Sequence, residues 1–258
     1  MMPQGMPVFE DWITPDWPAP ATVHAVCTTR HGGVSAGPYR SMNPADHVGD
    51  AAAAVASNRA RLQRALQLPA APRWLQQVHG THVINAADPV PAGAAPAADA
   101  SFCSQAGCVC VVLTADCLPL LLTDRHGGQV AAVHAGWRGL AAGVIEQTLS
   151  CMQQPGEALL AWLGPAIGPA VYQVGDEVRD TFTEHDAQAA AAFQAAPQGG
   201  WLADMYQLAR QRLAAQGVTA VYGGQACSFS DAERFFSYRR DGVTGRMASL
   251  IWIDNGDA

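Results

Sequence analysis

The chain contains no lysine, and all fifteen of its positively charged residues are arginine. This absence excludes mechanisms that need a lysine amine, such as a Schiff base, a pyridoxal phosphate anchor or a Walker A phosphate site. An anionic ligand must therefore be held by arginine, histidine, backbone amides or a metal ion. Charged residues make up only 14% of the chain and the net charge is −7, so we expect no binding to nucleic acid or to an anionic membrane surface.

Membrane, secretion and disulfide signals are also missing. No run approaches the roughly 18 consecutive apolar residues of a membrane span. The segment 1–20 lacks the basic start and apolar core of a signal peptide. The seven cysteines are odd in number and irregularly spaced, which favours free thiols over a disulfide framework. We therefore expect a cytoplasmic protein, and nothing in the sequence indicates an obligate protein partner.

Hydrophobic patterning predicts strands and helices in mixed order, without regular βαβ alternation and without a GxGxxG motif. The predicted strands are 22–29, 73–78, 82–87, 107–113, 117–123, 129–134, 158–163, 219–222 and 247–253. The predicted helices are 50–68, with Asp50 as N-cap, 140–149, 174–184 and 202–216, and a loop is predicted at 86–98. This pattern predicts one α+β domain over residues 1–258, with mixed sheets packed together and helices outside.

The stretch from Thr114 to Gly139 places a thiol and an imidazole at the ends of two apolar segments. It reads TADCLPLLLTDRHGGQVAAVHAGWRG, and its Gly-Gly pair predicts a turn that folds the two segments into a hairpin. Pro119 has no backbone N–H, so the hairpin end near Cys117 is predicted to be an edge or a bulge. The hairpin would bring Cys117 towards His134.

A second imidazole in apolar company, His79, lies 38 residues before Cys117, and His134 lies 17 residues after it. These are not zinc-finger spacings, and ligands drawn from separate strand ends are typical of a catalytic zinc site with one open position. The pattern leaves three interpretations open. They are a zinc site, a Cys117–His134 dyad with a nucleophilic thiolate, and ordinary buried core. Asp116 is a candidate catalytic or supporting carboxylate, or simply a turn residue.

Several motifs together resemble one bacterial family over residues 22–253. They are QVHG at 77–80, TADCLP at 114–119, VHAGWRG at 133–139, TRHGGVS at 29–35, Asn58-Arg59, GPAIGP at 164–169 and SYRRDG at 237–242. The family is the laccase-domain family, also called polyphenol oxidase-like, purine nucleoside phosphorylase-like or peptidoglycan-editing factor. Where the family often has a cysteine after the GPAIGP loop, this chain has Ala170-Val171, so that cysteine either is not needed for chemistry here or was never catalytic.

The resemblance implies a zinc site formed by His79, Cys117 and His134, with copper as a possible substitute. It also implies a fold of two packed mixed β-sheets flanked by helices, in α/β/β/α layers. It implies phosphorolysis of adenosine, inosine and methylthioadenosine, and deamination of adenosine. A second implied role is a cytoplasmic hydrolase that removes a wrong amino acid from UDP-MurNAc-amino acid, a peptidoglycan precursor. A third hypothesis is a binding protein in which zinc only stabilises the fold.

Phosphate would need arginine anchors because the chain has no lysine. The candidate substrate-binding residues are Arg30 in the glycine-rich turn, Asn58 and Arg59 in the first predicted helix, and Arg239 in the basic, aromatic segment 235–242.

The word laccase in the family's name can be compared with the histidine content of the chain. A four-copper oxidase needs about ten histidines, mostly in His-x-His pairs, whereas this chain has eight histidines and no such pair. The sequence therefore argues against a four-copper oxidase.

Overall fold

The computed structural model of the protein describes residues 11–89 and 95–254. Its strands are β1 (Val23–Cys27), β2 (Val83–Asn85), β3 (Ala100–Cys103), β4 (Val109–Thr114), β5 (Leu118–Asp124), β6 (Val130–Ala135), β7 (Leu159–Leu163), β8 (Gln173–Val174), β9 (Phe193–Ala195), β10 (Trp201–Ala203), β11 (Ala220–Gly223) and β12 (Met247–Ile253). Its α-helices are α1 (Ala52–Ala65), α2 (Trp137–Ala142), α3 (Val144–Met152), α4 (Asp176–His185), α5 (Met205–Ala215) and α6 (Tyr238–Asp241). None of the helices described is long and apolar enough to cross a membrane.

The strands form three sheets. The largest has six strands in the order β11-β7-β5-β6-β3-β2, and it is mixed because β11 runs parallel to β7 and β2 parallel to β3. A second sheet, β1-β12-β4, is antiparallel throughout. A third, small sheet has the order β8-β10-β9. The expectation of two mixed sheets is therefore corrected in two respects: the second sheet is antiparallel, and the third sheet was not expected.

Alternation along the strands builds four layers. In β5, Leu121 points into the core between the two large sheets, where it joins Val112 and Ile251. Its neighbour Leu120 points to the opposite face, where the core includes Ile145 of α3. On the outer face of the antiparallel sheet, the core includes Leu62 of α1. The α+β class and the α/β/β/α layers are confirmed, while a single domain over all of 1–258 stays a prediction.

The central hairpin is formed as predicted. Strands β5 and β6 pair antiparallel from Leu118–Ala135 to Thr123–Val130. On its other side β5 pairs with β7, but that ladder begins only at Leu120, consistent with the missing N–H of Pro119. Cys117, which directly precedes β5, and His134, near the end of β6, therefore lie at the same end of the sheet.

One predicted strand and one predicted cap are wrong, and one strand of the six-stranded sheet was missed. Segment 73–78 joins no ladder and makes only two isolated bridges, from Arg73 to Cys110 of β4 and from Gln76 to Ala97. Strand β3 is real but was not predicted. Asp50 does not cap α1: the N-cap is Ala51, without a side-chain cap bond. The Asp50 carboxylate instead accepts hydrogen bonds from other parts of the loop before α1. Residues 90–94 of the predicted loop 86–98 lie outside the described residues.

Two predicted helices have different boundaries. The segment 140–149 is not one helix, because Gly143 adopts φ 98° and separates α2 from α3, a conformation that glycine adopts without strain. The helix predicted at 202–216 begins at Met205, since Leu202 is paired in β10. The Asp204 carboxylate then caps α5 by accepting the backbone N–H of Gln207 at 3.0 Å, which satisfies a donor that the first helical turn leaves free.

Candidate metal centre

The structure brings His79, Cys117 and His134 together. One ligand atom from each lies within 4.8 Å of the other two, and within the ranges 11–89 and 95–254 this is the one group of three or more such side chains that could hold a metal ion. Cys117 Sγ is 3.9 Å from His79 Nε2. The two imidazole rings meet edge to face, with centroids 4.8 Å apart. His134 is buried, whereas His79 and Cys117 reach solvent.

Backbone conformation and close packing hold the ligands in place. His79 and Asp116, the residue before Cys117, both adopt positive φ, 61° and 90°, so each sits at a sharp bend and not in a regular strand. The prediction that His79 lies at a strand end is therefore wrong. Gly136 precedes α2, and a Cβ added there would lie 2.8 Å from His79 Cδ2 and 3.2 Å from Cys117 Sγ. A side chain at this position would therefore displace one or both ligands.

Asp99 supports the ligands and was not identified from the sequence. Its side chain is fully buried. Its Oδ1 accepts a hydrogen bond from His134 Nδ1 at 2.8 Å and from the backbone N–H of His79 at 2.8 Å. A buried carboxylate needs such partners, so a lone aspartate at the start of an apolar strand is a usable signal. The sequence does not reveal which residues are its partners, because they lie 20 and 35 residues away.

The three side chains favour an anionic thiolate. Burial by itself would raise the pKa of the Cys117 thiol, but the charge and hydrogen bond of His134, together with His79, lower it to about 6. Burial would likewise lower the pKa of His134, yet Cys117 and Asp99 raise it to about 9. In the metal-free site, Cys117 and His134 therefore each favour the charged form of the other.

The donor set fits a transition metal. Two imidazole nitrogens and a thiolate are the ligands that zinc prefers, and three protein ligands leave one position of a tetrahedral shell for water or substrate. Since His134 Nδ1 is engaged by Asp99, Nε2 is the nitrogen available to a metal. Copper also accepts imidazole and thiolate ligands, so the donor types alone do not separate the two metals.

A cavity of about 250 Å³ opens beside the ligands. Its walls combine aromatic rings, aliphatic side chains and two arginines, and they are formed by His79, Ala115, Asp116, Cys117, Trp137, Arg138, Ile167, Tyr172, Met205, Tyr238 and Arg239. Two larger cavities, of about 500 and 350 Å³, share Arg210 and contain none of the three ligands. Of these three cavities, the one of about 250 Å³ is therefore the one that adjoins the metal centre.

Asp116 and Arg239 both line this cavity, and they are tied to each other. The Asp116 carboxylate accepts the backbone N–H of Arg239 at 2.6 Å and the hydroxyl of Ser228 at 2.7 Å. Arg239 donates from Nη1 to the Gln173 carbonyl at 2.7 Å and lies over the Tyr172 ring. Asp116 thus joins α6 to the start of β5, and this contact brings Arg239 to the cavity wall.

Arg30 and Arg59 lie away from the cavity and are engaged elsewhere. Arg30 donates to the carbonyls of Arg40 and Ala232, at 3.1 and 2.8 Å. Arg59 forms an ion pair with Asp46 at 3.0 Å. Neither residue lines the cavity beside the metal ligands. Their guanidinium groups hold loops together in this structure.

Asn58 is likewise outside the cavity, fully buried in α1. Its Oδ1 accepts the backbone N–H of Val34 at 2.8 Å. Its Nδ2 donates to Ser35 Oγ, to the Ser41 carbonyl and to the Asn43 carbonyl, at 2.9 to 3.0 Å. The side chain therefore organises the loop 34–43.

Asn58→Ala is expected to lower the free energy of unfolding by about 3 kcal/mol, because it leaves several buried polar groups without partners. We expect no change in metal affinity. Denaturant unfolding checks the first outcome and metal titration the second. Asn85→Ala is the control, since the Asn85 side chain accepts a single backbone N–H. A large rise in substrate KM with unchanged stability would instead assign Asn58 to the substrate.

The comparisons with known proteins agree with the motifs. The family model described as multi-copper polyphenol oxidoreductase laccase matches residues 24–254. The purine nucleoside phosphorylase PA4543 of Pseudomonas aeruginosa is 54% identical over 245 residues, which is 95% of this chain and 99% of that protein. The purine nucleoside phosphorylase YfiH of Escherichia coli K12 is 53% identical over 244 residues, 93% of this chain and 98% of that protein.

Solved structures agree as well. Neisseria meningitidis protein NMB0706 is 49% identical with a TM-score of 0.91, covering 95% of this chain and 100% of that one. YlmD from Geobacillus stearothermophilus is 31% identical with a TM-score of 0.84, covering 91% of this chain and 93% of that one. The resemblance found in the sequence motifs is thus confirmed over nearly the whole chain, and the protein belongs to the multi-copper polyphenol oxidoreductase laccase family.

Proposed function

We propose that this protein is a zinc-dependent purine nucleoside phosphorylase. The observation that carries the proposal is the His79–Cys117–His134 cluster, which opens into a cavity with aromatic walls and two arginines. Relatives that share about half of its residues are named purine nucleoside phosphorylases. A bound zinc ion would supply a Lewis acid that polarises a substrate oxygen and lowers the pKa of a bound water towards about 7.

The cavity walls suit a nucleoside. Trp137 and Tyr172, each with an arginine over its ring, would offer aromatic surface to a planar purine, and Ile167 and Met205 add apolar surface. A cavity of about 250 Å³ lies just below the range of about 300–1,000 Å³ that is usual for small-molecule sites. It therefore favours a compact substrate over a long conjugate.

Phosphate is expected at Arg138. Its side chain lines the cavity and stacks on the Trp137 ring at 4.5 Å, and its guanidinium makes no hydrogen bond or ion pair with the part of the chain that the structure describes. Its N–H groups are therefore available to an anion, and a guanidinium binds phosphate through two parallel hydrogen bonds. Arg239, already donating to a carbonyl, is the second candidate. We prefer these two residues to Arg30 and Arg59 because both line the cavity.

The reaction would run between these walls. A phosphate oxygen bonds to C1 of the ribose while the C1–N9 bond breaks, and the purine leaves with the bonding electrons and takes up a proton. Arg138 and Arg239 would hold the phosphate, and the aromatic walls would hold the leaving base. Adenosine, inosine and methylthioadenosine are the proposed substrates. Deamination of adenosine, in which water adds at C6 and ammonia leaves, is proposed for the same cavity.

Arg138→Gln is expected to raise the KM for phosphate by roughly tenfold to a hundredfold, because it removes a charge-assisted bidentate contact. The KM for inosine and the zinc content should change little. Initial rates at varied phosphate measure the effect. Arg125→Gln serves as a matched control on the β5–β6 turn, away from the cavity. An equal rise in both KM values would place Arg138 outside the phosphate site.

The activity itself is tested with zinc-loaded protein, inosine and phosphate. We expect equal amounts of hypoxanthine and ribose 1-phosphate, and neither product without phosphate. The same assay with adenosine reports adenine for phosphorolysis and inosine for deamination. His79→Ala is the negative control. If no base is released at any zinc load, the phosphorylase proposal is wrong.

Two other hypotheses stay open to test. An editing hydrolase would release serine from UDP-MurNAc-serine, and only the amino-acid end of that conjugate would fit within about 250 Å³. A purely structural zinc would instead make the fold collapse in His79→Ala, whereas a catalytic zinc leaves the fold intact and removes turnover. We also propose a cytoplasmic location, since all seven cysteines are unpaired, as in reducing compartments.

A further inference from the structure

One buried carboxylate contacts both histidines of the metal centre. Asp99 lies just before β3, and its Oδ1 accepts hydrogen bonds from His134 Nδ1 and from the backbone N–H of His79, each at 2.8 Å. Its Oδ2 accepts from the backbone N–H of Gly80 at 2.7 Å and from that of Val78 at 3.2 Å. Four donors from two separate segments therefore converge on a single side chain that solvent does not reach.

The contact with His134 fixes the state of its ring. A carboxylate can only accept, so His134 must carry a proton on Nδ1 to make this bond. Nε2 then becomes the nitrogen with a free lone pair, as a metal ligand requires. The Asp99 carbonyl also accepts the backbone N–H of His134 at 2.7 Å. Side chain and main chain of Asp99 thus orient the same ligand.

The contact with the segment 78–80 fixes the position of His79. Three consecutive backbone N–H groups point at the Asp99 carboxylate, and the middle residue, His79, adopts a left-handed φ of 61°. That conformation is unfavourable for a residue other than glycine. The carboxylate compensates for it by satisfying all three donors, so the bend that aims the His79 ring depends on Asp99.

We propose that Asp99 is a positioning residue that orients both histidine ligands and thereby sets the affinity of the site for its metal. The inference rests on the metal centre of the proposed function but not on the reaction catalysed there. Removal of the carboxylate would affect two ligands at once. The His134 ring would lose the hydrogen bond that fixes its tautomer, and the backbone of His79 would lose the acceptor that holds its bend. Outer partners of metal-binding histidines contribute about 10–100-fold to metal affinity, and a residue that supports two ligands is expected at the upper end of that range.

Asp99→Asn tests the inference. The amide keeps one acceptor oxygen, but its NH₂ group faces the N–H of Gly80, where no hydrogen bond can form. We expect zinc affinity to fall by about 100-fold in chelator competition. Asp124→Asn is the matched control, because Asp124 is also buried and accepts two backbone N–H groups, in the turn at the other end of the same hairpin. It should lose stability without losing zinc affinity. Equal zinc affinity in Asp99→Asn and the wild type would overturn the inference.

A measurement on the unmodified protein does not depend on how the variant folds. Nitrogen-15 NMR of the zinc-loaded protein reports which ring nitrogen of His134 carries hydrogen. We expect a slowly exchanging proton on Nδ1 and a metal-bound Nε2. A proton on Nε2 would overturn the inference. Because neither readout needs turnover, failure of this proposal is distinct from failure of the phosphorylase proposal, which the product assay decides separately.

Discussion

Cys117→Ala is expected to remove zinc binding and phosphorolysis together. It deletes one of three ligands and the only one with negative charge, leaving two imidazoles that cannot by themselves hold zinc tightly. We expect kcat/KM to fall by about 1,000-fold or more, because both the metal and its Lewis acidity are lost. Metal analysis after gel filtration and the release of hypoxanthine measure the two effects. Cys151→Ala is the control, since Cys151 is a free thiol on α3 outside the cluster.

A second variant separates a ligand from a nucleophile. Aspartate binds zinc through its carboxylate but cannot replace a thiolate nucleophile. If Cys117 is a metal ligand, Cys117→Asp keeps measurable zinc and more activity than Cys117→Ala. If Cys117 is instead the nucleophile of a dyad with His134, Cys117→Asp is as inactive as Cys117→Ala. The short Cys117–His79 distance of 3.9 Å favours the first outcome, because a dyad would not require the third side chain.

Gly136→Ala is expected to disrupt the metal centre without unfolding the protein. The backbone at Gly136 has φ −66° and ψ 158°, a conformation that alanine adopts freely. The added methyl group, however, would lie 2.8 Å from His79 Cδ2 and 3.2 Å from Cys117 Sγ, so one or both ligands must move. We expect zinc affinity to fall by about 100-fold, with a comparable loss of activity, since displacing a ligand by under an ångström already spoils a tetrahedral site.

The control for this substitution is Gly128→Ala. A methyl group there would meet Asp124 Oδ2 at 3.5 Å, which is ordinary contact. Thermal unfolding of the zinc-free proteins should show both variants folded. Zinc affinity in Gly136→Ala equal to that of the wild type would mean that His79 and Cys117 do not bind one ion. The pair of variants thus isolates the steric effect from the general cost of replacing glycine.

The family description names copper, whereas the chain supports a different kind of site. Eight histidines without a His-x-His pair do not supply a four-copper cluster. The three residues that converge offer two nitrogens and one sulfur. We therefore propose zinc, and a competition in which the protein chooses between equal zinc and copper under reducing conditions would measure the preference directly.

The parts of the fold that could be predicted are those set by local sequence. Strand β12 runs from Met247 to Ile253 as predicted. A continuous apolar run between polar segments is stable only when it is buried in the core, so it can be identified from the sequence. The β5–β6 hairpin follows from the Gly127-Gly128 turn. It places Cys117 and His134 at one end of the sheet. Both predictions needed only neighbours along the chain.

The parts that could not be predicted depend on contacts between distant segments. The third ligand, His79, was expected from the family resemblance, but local sequence does not place it beside Cys117, 38 residues away. Its approach depends on a bend held by Asp99, which no pattern connects to it. Arg30 and Arg138 look alike in sequence. Only packing reveals that Arg30 is engaged by carbonyls while Arg138 lies at the cavity. The role of an arginine depends on whether neighbouring acceptors already engage its N–H groups.

The most direct test is X-ray diffraction from crystals grown with zinc, phosphate and inosine, with data collected on both sides of the zinc absorption edge. We predict one anomalous peak per chain, bonded to His79, Cys117 and His134 at about 2.0–2.3 Å, with phosphate at Arg138 in the adjoining cavity. A zinc peak at any other position, or phosphate and nucleoside bound in a different cavity, would contradict the account.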